Sequence, residues 1–332
     1  MRVKIFETRR GIARMTIALS AAICLVGLAT PSAAQQWPDK PIRMVVPYPP
    51  GGAVDTVGRL LAAKLQSALG QSVVVENKAG AGGLIGSDQV AKAAADGYQI
   101  LLGTVSSHAI APSVYRKMPY DPVADFAPIS LVALTPYIIT VNRDVPVTTL
   151  QELVSYARTN PEKLNFGSSG KGTTPHLAGE LFKTLAGVQI THVPYKGSAP
   201  MVVDLLSGQV QVAFDNTVIP HIKAGRLKGL AVTGPVRLAS VPDIPTAVEA
   251  GLKGYEAVGW MGLMAARGTP DAVTTRIAAE TAKAMAQPDV LEKLAALGFQ
   301  ARTDTPAAFA QYLRAEIDKW AKVAKAANIT PE

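Results

Sequence analysis

Cysteine is almost missing from this chain: Cys24 is the only one in 332 residues. It lies in an N-terminal segment that reads as an export signal, so the mature protein is expected to carry none. That excludes disulfides, thiol nucleophiles and cysteine metal sites. Histidine is scarce too, and His108, His176, His192 and His221 are scattered without an i,i+4 pair, so no metal site is expected. No apolar run beyond residue 34 approaches the ~20 residues that span a bilayer. Internal repeats and low-complexity tracts are also lacking. The formal net charge is +8, but dropping the five Lys/Arg and one Glu of residues 1–34 leaves 28 basic against 24 acidic residues, or +4. So mild a bias makes no case for nucleic acid as a partner.

The first 34 residues have the three parts of a signal peptide. Arg2, Lys4, Arg9, Arg10 and Arg14 form a basic start, residues 15–29 are largely apolar, and Ser32-Ala33-Ala34 offers small residues for a cut before Gln35. "TRRGIAR" (8–14) loosely resembles a twin-arginine signal, although general secretion is the preferred reading. Ile23 before Cys24 is a poor fit to a lipoprotein site, so no lipid anchor is expected. About 300 residues remain, room for two domains of ~100–200 residues each.

Downstream, short apolar runs alternate with helical patterns, which argues for α/β domains with mainly parallel sheets. "IRMVV" (42–46) reads as a strand, and Val54, Val57, Leu61, Leu65 and Leu69 then line one helical face. Strands follow at 72–76 and 98–103, with a helix near 84–95 between them. The middle of the chain repeats the scheme around "KLNF", "ITHV", "VQVAF" and "GLAVT". Thr269-Pro270 reads as an N-cap followed by proline at the first helical position. Phe309, Leu313, Ile317, Trp320 and Val323 hold a stripe expected to pack a long terminal helix across a domain. Residues 136–142 and 256–264, both apolar and strand-like, are the candidates for crossing between two lobes.

The chemistry is expected where strands hand over to helices. In open parallel sheets ligands collect at the carboxyl ends of strands, and the first turn of a helix presents unpaired N–H groups with about half a positive charge. "VVPYPPGGAVD" (45–55) combines both features. Gly51 and Gly52 allow the backbone to approach an anion closely, Pro49 and Pro50 stiffen the approach, and Asp55 caps or enters the first turn. "GTVSSH" (103–108), "GSSGKGTTPH" (167–176), "PYKG" (194–197) and "FDN" (214–216) stand at other strand ends. Thr173 or Thr174 is expected as an N-cap with Pro175 just inside the helix. Any one of these loops could be a mere cap; five of them point to a shared polar cleft. Tyr195 either touches a ligand or covers the cleft, and Asp215 either accepts a hydrogen bond from a ligand or holds its loop.

Three enzyme-like motifs fail on their context. "GAGGLIG" (80–86) follows a strand, but the next strand ends in Gly103-Thr104 without the ribose-binding acid of a dinucleotide site. "GSSGK" (167–171) puts lysine where a nucleophile elbow needs glycine. "GSSGKGTT" also lacks P-loop spacing. A hydrolase built on Ser168 or Ser169 has no histidine at a recognisable spacing.

With these stretches in view, the mature chain resembles the solute receptors of tripartite tricarboxylate transporters, the Bug receptors. The resemblance is carried by "WPDKPIRMVVPYPPGGAVD", "NKAGAGGLIG", "DGYQILLGT", "FGSSGKGTTPHLAGELF", "VPYKGSAPMVVDLLSGQVQVAFD" and "VPDIPTAVEAGLKGYEAVGW", in order from Trp37 onwards. It implies an α/β periplasmic-binding-protein fold (type II, a Venus flytrap), with two α/β lobes joined by crossing strands. Residues 35–138 and 259–332 would make the first lobe and 139–258 the second. It implies a periplasmic receptor that passes a small organic carboxylate (a di- or tricarboxylate, an acidic amino acid or an aromatic acid) to a membrane permease driven by an ion gradient; a monomer with no cofactor and no enzymatic activity is expected. Presenting the ligand to a membrane sensor is the alternative role. First-lobe contacts carried over by position are Tyr48, Pro49, Gly51, Gly52, Thr104 and Ser106. Second-lobe contacts are Ser168, Ser169, Thr173, Thr174, Tyr195, Asp215 and Asn216. Met201 departs from the alanine common in the "KGxxPA" stretch, and no motif indicates what meets the far end of the ligand.

Overall fold

A computed structural model describes residues 37–329 and 331. The expected export segment, residues 1–34 with Cys24, lies outside the described residues. From Lys40 onward the chain forms one compact unit, built on two β-sheets. Strands β1 (Ile42–Val46), β2 (Val73–Asn77), β3 (Gln99–Thr104), β4 (Phe126–Pro136), β10 (Val258–Ala266) and β11 (Gln300–Ala301) make the first sheet, in the order β11-β4-β10-β3-β1-β2. Strands β5 (Ile138–Asn142), β6 (Asn165–Ser168), β7 (Thr191–Pro194), β8 (Val212–Asp215) and β9 (Leu227–Val232) make the second, in the order β7-β6-β8-β5-β9.

Each sheet is parallel only in part. β2, β1 and β3 run parallel in the first, as do β7, β6 and β8 in the second. The crossing strands run against them: β10 pairs antiparallel with β3 and β4, and β5 with β8 and β9. The expected, mainly parallel character therefore gives way where the chain passes between sheets, because a strand arriving from the other sheet enters from the opposite end. The outward crossing is abrupt. β4 ends at Pro136 and β5 begins at Ile138, with Tyr137 alone between them.

Helices cover both sheets: α1 (Ala53–Leu69), α2 (Leu84–Ala91), the single turn α3 (Ala111–Val114), α4 (Leu150–Thr159), α5 (Thr174–Ala186), α6 (Ser198–Ser207), α7 (Ile219–Lys223), α8 (Asp271–Met285), α9 (Pro288–Ala296) and α10 (Pro306–Ala326). Helix α1 buries Val57, Leu61, Leu65 and Leu69 as its spacing predicts, at about 1.5–3 kcal/mol for each fully buried side chain. Val54, expected on the same stripe, stays half-buried. Helix α2 stops at Ala91, short of the expected 95. The Thr269-Pro270 reading is also corrected. Pro270 itself is the N-cap of α8, and the Thr269 hydroxyl donates back to the Ala266 carbonyl at 2.8 Å. Helix α10 has the cap expected there instead, with Thr305 accepting from the Ala308 N–H and Pro306 in the first turn. Its stripe buries Phe309, Leu313, Trp320 and Val323. Glu316 on the same helix accepts from the indole N–H groups of Trp260 (3.1 Å) and Trp320 (3.0 Å), joining α10 to β10. Among the described residues no helix is long and apolar enough to cross a membrane.

Candidate functional site

The carboxyl ends of β1 and β3 in one sheet and of β6, β7 and β8 in the other border a single cavity of about 720 Å³. From the first sheet come the β1–α1 turn and the residues after β3; from the second come the turns that open α5 and α6 and the Asp215–Thr217 corner. The floor is made by Thr135, Tyr137 and the Gly259–Met261 segment of β10, with Phe299 beside it. Among the described residues no Lys, Arg or His lines it. An anion held here must be held by dipoles.

Helix α1 supplies the first of these. Its N-cap, Gly52, has extended backbone (φ −78°, ψ 171°) and no side-chain cap. Gly51 before it has φ +80°, the left-handed region in which only glycine is unstrained. Asp55 reaches back from the first turn to accept the Gly51 N–H at 2.9 Å, and also takes Arg59 Nε (3.0 Å) and Asn77 Nδ2 (2.8 Å). Burial alone would raise the Asp55 pKa, but these donors outweigh it and hold the carboxyl below its ordinary value. The internal carboxylate thus fixes the turn and occupies the Gly51 amide. Gly52, Ala53 and Val54, whose N–H groups have no intrahelical acceptor, border the cavity.

Tyr48 and Thr104 brace this turn. The Tyr48 hydroxyl lies 2.7 Å from Thr104 Oγ1 and donates to the Gly82 carbonyl at 3.2 Å. Gly83 (φ +98°) leaves room for it, since a Cβ there would sit 3.1 Å from the Tyr48 oxygen. Burial raises the Tyr48 pKa, so the phenol stays neutral. Behind it, Thr104 and Ser107 exchange hydrogen bonds, and Ser107 Oγ meets His108 Nδ1 at 2.9 Å. Burial pushes His108 down to about 3, so that ring is neutral as well. Ser106 opens a π-helical turn at the cavity edge.

Two further helices point their N-termini at the cavity. Helix α5 is capped by Thr173, whose hydroxyl turns away to donate to the Gly170 carbonyl at 2.7 Å. Helix α6 is capped by Gly197, which also provides no side-chain cap. In both, first-turn N–H groups remain unused within the helix. The structure brings Tyr48, Pro49, Gly51, Gly52, Thr104, Ser106, Ser169, Thr173, Thr174, Asp215 and Asn216 to this one cavity.

Ser168 and Tyr195 do not line it. Ser168 is fully buried, contacts His192 Nε2 at 2.7 Å, and ties the turn through the carbonyl and N–H of Gly170. The Tyr195 hydroxyl donates to Asp204 Oδ2 at 2.7 Å, and burial followed by that carboxylate pushes its pKa up to about 12. The Ser168–His192 contact looks like a nucleophile and base, but it is sealed from the cavity. His192 stacks on His176 with ring centroids 3.9 Å apart and on Phe166 at 4.8 Å. Ser169, which does reach the cavity, donates to Thr173 Oγ1 and has no histidine beside it.

Several cavity residues escaped the sequence reading. Ser198 and Thr217 directly follow quoted motifs, and that adjacency was a usable signal. Tyr137, Gly259, Met261 and Phe299 carry no local signal, because long-range pairing places them. Met261 pairs with Thr104 across β10 and β3. The Tyr137 N–H donates to Thr233 Oγ1 at 2.8 Å, and its carbonyl accepts from the Thr233 N–H at 2.9 Å, so the crossing point is fixed on both sides. Burial raises the Tyr137 pKa, a hydrogen bond with Thr174 works against that rise, and the Asp215 carboxylate adds to it.

A receptor-family model described as "Tripartite tricarboxylate transporter family receptor" matches residues 57–329. Among curated relatives, a protein from the tcbD–tcbE intergenic region of Pseudomonas sp. strain P51 is 40% identical over 309 residues, covering 91% of this chain and 92% of that one. Protein BugT of Bordetella pertussis is 36% identical over 315 residues, covering 94% and 97%. Among solved structures, Rpa4515 of R. palustris with adipate superposes with a TM-score of 0.78 at 42% identity, over 89% of this chain and 100% of that one. MatC of Rhodopseudomonas palustris with bound malate gives 0.73 at 34% identity, over 87% and 100%.

Proposed function

Because the chain belongs to the receptor family of the tripartite tricarboxylate transporters, we propose that it captures a small carboxylate in the periplasm and delivers it to a membrane permease. The observation that carries this reading is the convergence of three helix N-termini, those of α1, α5 and α6, on one cavity without a basic side chain. A carboxylate is the occupant that such a set of N–H donors favours. Each charge-assisted hydrogen bond contributes about 1.5–3 kcal/mol. Four of them near the upper figure give about 12 kcal/mol, which after an association cost of about 4 kcal/mol leaves about −8 kcal/mol, the micromolar range.

The donors come from both sheets, so a ligand gains its full set only when both walls face it. We place the lobe division at residues 138/139 and 258/259, with Tyr137 at the crossing. Binding then shifts an open–closed equilibrium toward the closed form. The two structures that hold adipate and malate are relatives of similar fold and put dicarboxylates first in the screen, with tricarboxylates, acidic amino acids and aromatic acids beside them. In a thermal-shift screen at millimolar concentration, a ligand present at 100 times its Kd adds about 2.7 kcal/mol to apparent stability. At least one acid is expected to raise the midpoint by several degrees. The reading fails if neutral or cationic solutes stabilise the protein and no acid does.

A further inference from the structure

We propose that the corner of the cavity around Asp215 selects carboxylates carrying a hydrogen-bond donor, a hydroxyl or an ammonium group, over unsubstituted acids of the same length. This rests on the carboxylate-receptor reading and adds a second requirement to it. Asp215 is only 2% exposed, yet it borders the cavity. Its Oδ1 accepts from the Thr217 N–H (2.8 Å) and Thr217 Oγ1 (2.7 Å), and its Oδ2 accepts from Ser198 Oγ (2.7 Å). A serine or threonine hydroxyl has one proton to give. Both protons here are spent on Asp215, so what Ser198 and Thr217 have left for a ligand is lone pairs. The carboxylate itself has about four acceptor sites, of which three are taken. Asn216, next in the corner, serves in either sense.

Thus the cavity is not polar in a uniform way. The α1 turn offers N–H donors and asks for an anion; the Asp215 corner offers acceptors and asks for a donor. A second ligand carboxylate pressed into that corner would meet a like charge with no cation in the lining to offset it, and would leave the acceptors unsatisfied. A hydroxyl or ammonium group on the chain of the acid satisfies both conditions.

The test is calorimetric titration of the exported protein with matched acids: succinate against malate and aspartate, and adipate against 2-aminoadipate. In the wild type the donor-bearing member of at least one pair is expected to bind ten times more tightly or better. In Asp215→Asn that ratio should fall below three, mainly because the unsubstituted acid gains. Ser198→Ala keeps the carboxylate and frees an acceptor site, so the preference should persist or grow; it serves if the first variant misfolds. Equal affinities within threefold across every pair in the wild type would overturn this inference while leaving the receptor reading intact. The inference also fails if Asp215→Asn weakens both members of a pair equally. If no acid of either kind binds, the receptor reading falls and takes the inference with it.

Discussion

Replacing Gly52 by valine separates binding from folding. Gly52 has extended backbone that any residue adopts, and a Cβ added there would meet only the Pro49 carbonyl oxygen, at an ordinary 3.6 Å. Stability should therefore change by less than about 1 kcal/mol, since the lower unfolded-state entropy of valine offsets what the turn loses. Binding is another matter. A branched side chain on the N-cap crowds the approach to the Gly52, Ala53 and Val54 amides, and losing two charge-assisted bonds at about 1.5–3 kcal/mol each weakens binding by roughly 10²–10⁴-fold. Gly51 is the control. Its φ of +80° means that Gly51→Ala strains the turn, at about 1–3 kcal/mol. The assay is a urea midpoint for stability and calorimetry for the acid selected by the screen. If Gly52→Val binds within threefold of wild type, close approach of that turn to the ligand is wrong.

Four further outcomes follow. Gly259→Ala brings a Cβ to 2.6 Å from the Tyr137 hydroxyl, so binding should weaken and stability fall by about 1–3 kcal/mol; adding Tyr137→Phe should restore most of the stability, read by thermal melts. Glu316→Leu leaves the Trp260 and Trp320 indole N–H groups buried without an acceptor, and should cost about 2–5 kcal/mol in urea unfolding while sparing ligand affinity. Acidification should destabilise the fold through its histidines. His108 and His192 are held at about 3 and His176 at about 4, by burial first. Their neutral forms favour the folded state fully above the ordinary 6.5, and that stability is lost as pH falls from 6.5 toward the folded values. The loss at pH 5 is on the order of 1–2 kcal/mol per histidine, visible as a lower urea midpoint, and His192→Gln should reduce it. Asp55 acts in the same sense at lower pH. Its depressed pKa stabilises the α1 turn above the ordinary aspartate value, and the contribution disappears as pH drops through the folded value.

Local chemistry was legible in the sequence. The Pro-Gly turn before α1, the threonine and proline opening α5, and the hydroxyl-rich strand ends each announce a helix N-terminus in a few residues, and a parallel sheet brings such ends to one side. What the sequence concealed came from two sources. One is the turn of a single residue. Ser168 and Ser169 are indistinguishable in composition, but Ser168 is the last residue of β6, paired opposite Pro194, and faces inward to His192. Tyr195 is diverted by a carboxylate nine residues on. The other is sheet register. Gly259 reaches the cavity floor because β10 lies between β3 and β4, and nothing around "EAVGWMGLM" discloses which strands flank it. The crossing strands appeared as apolar runs, but their antiparallel sense follows from entering a sheet from its far end.

A crystal structure with the tightest-binding acid tests the central claim most directly. The account predicts a ligand carboxylate oxygen within hydrogen-bond distance of the amide nitrogens of the α1 turn, with no lysine or arginine side chain in contact. A carboxylate paired with a basic side chain, or seated away from all three helix N-termini, would contradict it.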